Sequence, residues 1–390
     1  MRILLYKGGA QYNAMNRFAE KLGDGFTGMG HETEFVDLLA ADKNRQLLID
    51  ALARKPNLVV GFNGLGAELK TADKRSVYEI SGSEYLAILL DHPAFHTRRT
   101  AFSPGGAIAG VCDLSHIDYL KETWPGHPVF FAPHGGIQSE EYKNTDRPIE
   151  ILFCGTGLNP EKEREQWKEF PVSYRSMLME AYEEFLKKPR AWDSLLIHGA
   201  EKRHISLPRH LLAAMIVQLE MVMRAEYRTM VLKKFDEAGL KVIIMGNGWE
   251  HARFKHHELH PSVESNDALK LMCKSKISLN ISPQFFTGTH ERVFHSMLNG
   301  AVAVTTESRY YVEHLKEGEH YLGYALESLP GTIDKIKGLL DSRKKLDDIS
   351  HAARAIAERD HTWKSRAKEY LDKFETVAIC QLLYKKQWFF

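Results

Sequence analysis

Over the first 135 residues, short apolar runs alternate with helix-length amphipathic stretches, and each run stops in glycine or polar residues. The runs are Arg2 to Tyr6, His31 to Leu38, Leu58 to Phe62, Tyr85 to Leu90, Ala107 to Cys112 and Val129 to Ala132. A helix is predicted from Ala14 to about Met29, after a Gly8-Gly9 turn. Strands buried on both faces read as continuous apolar runs, so this alternation predicts a parallel sheet covered by helices on both sides.

The pattern then restarts. Gln138 to Pro148 is polar, and we place a linker at 143–148 within it; Ile149 to Cys154 runs into Gly155-Thr156-Gly157 and repeats the strand-to-glycine turn of the N-terminus. Two Rossmann-like domains in tandem are predicted, over 1–142 and 149–375. Tyr174 to Lys188 and Leu207 to Gly239 are long helical stretches and predict a helical insertion over about 160–238. Strands recur at Lys241 to Met245, Ile277 to Ile281 and Ala301 to Thr305, with a helix from about His290 to Asn299 stopped by Gly300. The tail, 376–390, is expected to dock back on the N-terminal domain. The alternative is a membrane-surface contact through Lys385, Lys386, Trp388 and Phe389, but two lysines make a weak electrostatic anchor.

Composition narrows the function. The 390 residues carry 52 Lys plus Arg against 51 Asp plus Glu, which leaves no charge excess for gripping nucleic acid. No stretch of about 18 apolar residues occurs, and Ile3 to Leu5 is too short for a signal-peptide core, so a soluble cytoplasmic protein without transmembrane segments is expected. Cys112, Cys154, Cys273 and Cys380 lie far apart without a CxxC pair, which fits reduced thiols. The oligomeric state is not legible.

Ligands of open parallel sheets sit beyond the carboxyl ends of the strands, so chemistry is sought in the residues that follow each run. The most informative is Gly288-Thr289-His290-Glu291-Arg292-Val293-Phe294, which opens a helix. Amide donors at a helix start favour an anion such as a diphosphate, Arg292 adds a bidentate cation, and Glu291 can accept sugar or ribose hydroxyls. Spacing alone serves equally a plain helix start capped by Thr289 or His290, with Glu291 and Arg292 solvated. Gly246-Asn247-Gly248-Trp249 follows another strand; its glycines admit close backbone approach, and Trp249 offers a flat face or a buried turn. Gln284, Phe285 and Thr287 follow the strand ending at Ile281. On the acceptor side, Asp91, His92, His96 and His134 are candidates to take a proton from an attacking hydroxyl, with Asp91 and His134 as catalytic candidates, although each could instead shape a turn. His251, His256, His257 and His260 match no compact metal site except His256 with His260 on one helical face, and read as a solvated loop. Met215, Met221 and Met223 fall at helical spacing and read as core or partner-facing.

Together these residues resemble a known family. The run Gly288 to Phe294, its helix, Gly300 and the apolar strand after it are similar to the C-terminal half of bacterial group 1 glycosyltransferases, especially the spore-maturation-protein branch. Leu152-Phe153-Cys154-Gly155-Thr156-Gly157 resembles the turn that opens that domain, and His361-Thr362-Trp363 with Arg366 resembles its closing helix. The resemblance implies the GT-B arrangement, an α/β fold of two Rossmann-like domains facing across a cleft, with a nucleotide sugar held by the C-terminal domain through Gly155, Thr156, the 246–249 turn and the 287–291 segment. It implies no bound metal, and the chain has no Asp-x-Asp. One departure is His295, where many relatives carry a second, ribose-binding glutamate. The implied activity is transfer of a sugar from a nucleotide-diphosphate sugar, with UDP-sugar as the guess, to a hydroxyl of a protein or glycan acceptor. The alternatives are a nucleotide-sugar epimerase and an inactive nucleotide-sugar-binding protein.

Overall fold

The computed structural model describes residues 1–39, 41–101, 104, 106–143 and 146–387. Positions 144 and 145 of the expected linker and Trp388, Phe389 and Phe390 of the tail lie outside the described residues. The chain divides into two units, Met1–Gly135 with the chain from Asp360 onward, and Gly136–Arg359.

The first unit runs β1 (Arg2–Lys7), α1 (Ala14–Gly28), β2 (Glu32–Asp37), α2 (Ala41–Ala53), β3 (Leu58–Phe62), α3 (Val77–Ser81), β4 (Glu84–Leu89), α4 (Thr97–Ala101), β5 (Ile108–Val111), α5 (Ser115–Thr123) and β6 (Val129–Phe131). All six strands are parallel, in the order β2-β1-β3-β4-β5-β6. Every residue of β3 is buried, which is why that strand reads as an unbroken apolar run rather than an alternating one. Helix α1 buries Phe18, Ala19, Leu22 and Phe26, the stripe expected of a helix lying on a sheet.

The second unit contains β7 (Ile149–Cys154), α6 (Pro160–Glu165), α7 (Val172–Lys187), α8 (Trp192–Lys202), α9 (Arg209–Glu237), β8 (Ile243–Met245), β9 (Glu258–His260), α10 (Ser265–Cys273), β10 (Ser275–Asn280), α11 (Glu291–Leu298), β11 (Val302–Thr306), α12 (Arg309–His314), β12 (Leu322–Tyr324), α13 (Leu329–Leu340) and α14 (Arg343–Asp360). Its sheet is again parallel, ordered β12-β11-β10-β7-β8-β9. Chain connections leave β7 toward one edge and later return to β10 on its other side. The crevice beyond the ends of these two adjacent strands is the topological switch point, where such sheets bind ligands.

The segment expected as a linker, and the residues just before it, are tied down at several points. Arg147 donates to the Gly300 carbonyl and pairs with Asp347, and the guanidinium of Arg354 lies 4.0 Å from the Tyr142 ring. Asn299 closes the strap, accepting from Ser139 N at 2.7 Å and donating to the Ile137 carbonyl at 2.9 Å. Ser139, Tyr142 and Arg147 of this polar stretch are thus tied to the second unit, while Gln138, Glu140, Glu141, Lys143 and Asp146 stay exposed.

The chain returns to the first unit at Asp360, earlier than the expected 376, and continues as α15 (Trp363–Gln387). Arg366 and Lys373 donate to the carbonyls of His134 and Phe131, and the Tyr370 hydroxyl donates to that of Pro133. Trp363 stacks on Phe18 at 4.9 Å and meets Phe62 edge-on at 5.4 Å. Residues 363–375 thus belong with the N-terminal sheet. Among the described residues no helix is long and apolar enough to cross a membrane.

Where α15 crosses α1, a Cβ on Gly25 would stand 2.6 Å from the Ala367 Cβ and 3.0 Å from the Lys364 Cα. Gly25→Val should therefore destabilise the protein by about 1–3 kcal/mol through overpacking, and a second change, Ala367→Gly, should recover part of that loss. Urea melts of the single and double variants read both effects; a Gly25→Val melt matching the parent would contradict this packing.

Candidate functional site

Two turns beyond the second sheet interlock. Gly155 N donates to the Met245 carbonyl and Gly157 N to that of Asn247, each at 2.9 Å. The Trp249 indole N–H reaches the Gly155 carbonyl at 2.9 Å. A Cβ on Gly246 would lie 2.1 Å from the Gly155 oxygen, and Gly248 combines a φ of +88° with a Cβ position 2.2 Å from the Gly157 oxygen. These glycines are required by the neighbouring turn. Trp249 is 2 % exposed, edge-on to Phe153, so it is packing and not a free face for a base or sugar. Asn247 exchanges hydrogen bonds with Ser262 and fixes its own loop.

The 281–290 segment follows β10 and is buttressed from outside. Phe286 packs on Phe185 of α7 and Trp192 of α8, and the Gly288 carbonyl accepts from Ser308 at 2.6 Å. Thr287 is half-buried and Thr289 fully buried. His290 caps α11, as the plainer reading of the sequence expected. The amides there have partners: His290 N donates to the Tyr311 hydroxyl at 2.8 Å, Val293 N to the His290 carbonyl at 3.2 Å, and Arg292 N lies 3.3 Å from His290 Nδ1. A nest of amides open to an anion is not what this helix start presents.

Its charged side chains remain. Arg292 Nη1 donates to the Cys154 carbonyl, and Arg292 Nη2 lies 2.8 Å from His290 Nε2. His290 Nδ1 lies 2.9 Å from a Glu291 oxygen. Nε2 thus faces a guanidinium that can only donate, while Nδ1 stands between the Arg292 amide and the Glu291 carboxylate. Arg292 thereby draws α11 to the end of β7, and the chain Arg292-His290-Glu291 holds a cation and an acceptor carboxylate beside the switch point. Burial disfavours the charged form of Arg292 and Glu291 restores part of that loss. Burial pushes the nearby Cys154 thiol up to about 12. His295, 7 % exposed, is built into α11, with its carbonyl bonded to Asn299.

Sequence reasoning missed Arg228. This α9 residue is 7 % exposed, and its Nη1 donates to the Thr156 carbonyl at 2.9 Å while Nε faces that of Ile281 at 3.4 Å. It lies in the stretch expected as insertion, where its spacing from Arg224 and Glu220, four residues each, was the available signal. The methionines nearby, Met215 and Met223, are core.

In the first unit, strand ends gather a second polar group. Asp91 follows β4, half-exposed, accepting from Asn63 Nδ2 at 3.1 Å with His96 Nε2 at 3.8 Å. His92 caps the next turn through Nδ1, and its ring lies 4.5 Å from that of His116 and 4.8 Å from Tyr119. His134 is buried. Burial, followed by the neighbouring imidazoles His116 and His96, holds His92 well below its ordinary range. Burial also lowers His116, against the pull of Asp113 and Asp91. Asp91 is the exposed member of a set whose two buried rings are held neutral.

Among the described residues no cluster of three or more His, Cys, Asp or Glu could hold a metal ion. His260 lies in strand β9 and not on a helix with His256, and His257 Nε2 faces the Leu232 carbonyl at 2.8 Å. The expected solvated loop is thus a short edge strand with one histidine pinned.

Residues 226–372 match the glycosyl transferase-like family. The crystal structure of AviGT4, a glycosyltransferase of avilamycin A biosynthesis, is 11 % identical with a TM-score of 0.50, covering 96 % of this chain and 97 % of that one. A glycosyltransferase from Rickettsia africae is 10 % identical, TM-score 0.50, over 97 % and 98 %. An alpha-glucosyltransferase in complex with UDP-glucose and abasic-site DNA is 12 % identical, TM-score 0.52, over 95 % and 98 %. A comparison with curated proteins finds no match. The chain has the α/β fold of the GT-B glycosyltransferases, and its segment 226–372 is glycosyl transferase-like in sequence.

The neutral imidazoles of the first unit give a pH signature. Their folded pKa values are depressed, so the unfolded chain binds more protons as pH falls through the ordinary histidine value near 6.5, and stability present above that pH is lost below it. Each such group contributes a slope of up to about 1.4 kcal/mol per pH unit. His92→Asn keeps an acceptor for Ala94 N and removes one titrating group, so its urea-melt stability should fall less between pH 7 and pH 5 than the parent's. Equal falls would contradict the assignment.

Proposed function

We propose that the protein transfers a sugar from a nucleoside diphosphate sugar, uridine diphosphate being the favoured carrier, to a hydroxyl of a glycan or protein acceptor, in the cytoplasm and without a bound metal. The observation that carries this is the guanidinium of Arg292 at the switch-point end of β7, beside Glu291 and a glycine turn. The UDP-glucose bound by the alpha-glucosyltransferase of the same fold supports the choice of donor.

In the reaction the bond between the anomeric carbon and the diphosphate oxygen breaks as the acceptor oxygen bonds to that carbon. Negative charge grows on the departing diphosphate, and a cation fixed there stabilises the transition state more than the ground state. Arg292 supplies that cation, and Glu291, oriented by His290, accepts from a sugar or ribose hydroxyl. Gly155, Thr156, Thr287 and Gly288 supply backbone around the donor, with Asn247 and Trp249 fixing the adjoining turn. His295 takes the position of a ribose-binding glutamate. The acceptor proton passes to Asp91, whose carboxylate is half-exposed and held by Asn63. His134 positions the end of β6, its carbonyl held by Arg366.

Arg292→Ala should lower turnover about 10²–10³-fold, measured as sugar transfer or donor hydrolysis, while its melt shows a fold still intact. Turnover equal to the parent's would overturn the role. The donor class is read by thermal shift, since a nucleotide at a hundred times its dissociation constant stabilises by about 2.7 kcal/mol. The absence of a shift with any nucleoside diphosphate would overturn the reading.

A further inference from the structure

Arg228 reaches the carbonyls of Thr156 and Ile281, the residues just beyond the two strands that flank the switch point. Two carbonyls leave most of its five N–H donors uncommitted to protein charge. Among the described residues no carboxylate lies within ion-pair distance of it: Glu220, 1 % exposed, stands 4.0 Å from Arg224. The charged groups that act on Arg228 are Arg292, Arg224 and Glu220, so two of its three charged neighbours repel it. A guanidinium kept out of water without a counter-ion is unfavourable unless an anion completes it. Arg292 Nη1 bonds to the carbonyl of Cys154, two residues from the carbonyl that Arg228 holds. The two guanidinium groups therefore share one strand end.

We infer that Arg228, carried by the helix preceding β8, is the second jaw of a diphosphate clamp with Arg292, and that it makes donor affinity depend on the number of phosphates. This rests on the reading of the chain as a nucleotide-sugar transferase. Bidentate forks from two sides match the oxygens of linked phosphates, whereas a single phosphate satisfies one fork only. The helices inserted between β7 and β8 thereby contribute to donor binding as well as to bulk, because α9 sets Arg228 in place.

The full-length protein and its Arg228→Gln and Arg228→Lys variants are titrated calorimetrically with uridine, UMP, UDP and inorganic pyrophosphate. The inference expects UDP and pyrophosphate to bind the glutamine variant at least about tenfold more weakly than the parent, with uridine within about twofold. The lysine variant, which keeps the charge but not the fork, should fall between. A role confined to tying two strand ends together would weaken uridine and UDP by the same factor or leave both unchanged, and either result overturns the inference. If the glutamine variant does not fold, the lysine variant carries the same comparison. Parent protein that binds UDP while the variants bind it equally well sinks this inference alone. Folded parent that binds neither UDP nor pyrophosphate sinks the transferase reading with it.

Discussion

Parallel strands deliver all their last carbonyls to one end of a sheet, and where the connections diverge no crossover covers that end. In the second unit the gap falls between β7 and β10. It is bridged by two guanidinium groups, which bond to the carbonyls of Cys154, Thr156 and Ile281. Other features serve this arrangement. The glycine turns fold flat against each other so that β7 and β8 end level. Phe185 and Trp192 press on Phe286 and hold the segment after β10 in place. Tyr311 and Ser308 anchor the start of α11 from the far side.

Much of the α/β alternation was legible because these strands are buried on both faces. Runs such as Leu58 to Phe62 and the buried middle of β7, Ile151 to Phe153, need no partner to be read, and the glycines that follow them mark the carboxyl ends of the strands. Strand β9 was not legible: Glu258–His260 is an exposed edge strand, so its residues carry no apolar imprint. Arg228 was hidden for the opposite reason. It lies on a helix whose apolar residues surround it, and the feature that gives it meaning, contact with carbonyls 72 and 53 residues away, leaves no local trace.

Segment ownership failed on the same ground. The run from Gln138 to Pro148 has the polarity of a linker, yet Arg147, Tyr142 and the backbone at Ile137 and Ser139 all find partners in the second unit. His361-Thr362-Trp363 and Arg366 marked a helix correctly, but a helix motif does not say which core it covers. Here carbonyls of Phe131, Pro133 and His134 meet Lys373, Tyr370 and Arg366, which descend one face of α15 in reverse order. Polar positions at helical spacing thus hold the last strand of the first sheet.

The start of α11 shows why motif and mechanism need separate arguments. A helix N-terminus offers partial charge through unbonded amides, and that offer is withdrawn when the amides are used internally. At His290, Arg292 and Val293 they are. Full charges on arginine differ in kind: a guanidinium spends one or two donors on carbonyls and still faces an anion with the rest. Arg228 is buried and Arg292 half-buried, so on the proposed reading their attraction to a growing negative charge is screened less than it would be at the surface. On the same reading, stabilisation of a departing diphosphate falls to side chains anchored by backbone carbonyls. The same bonds that orient the cations tie them to the strands whose ends define the site.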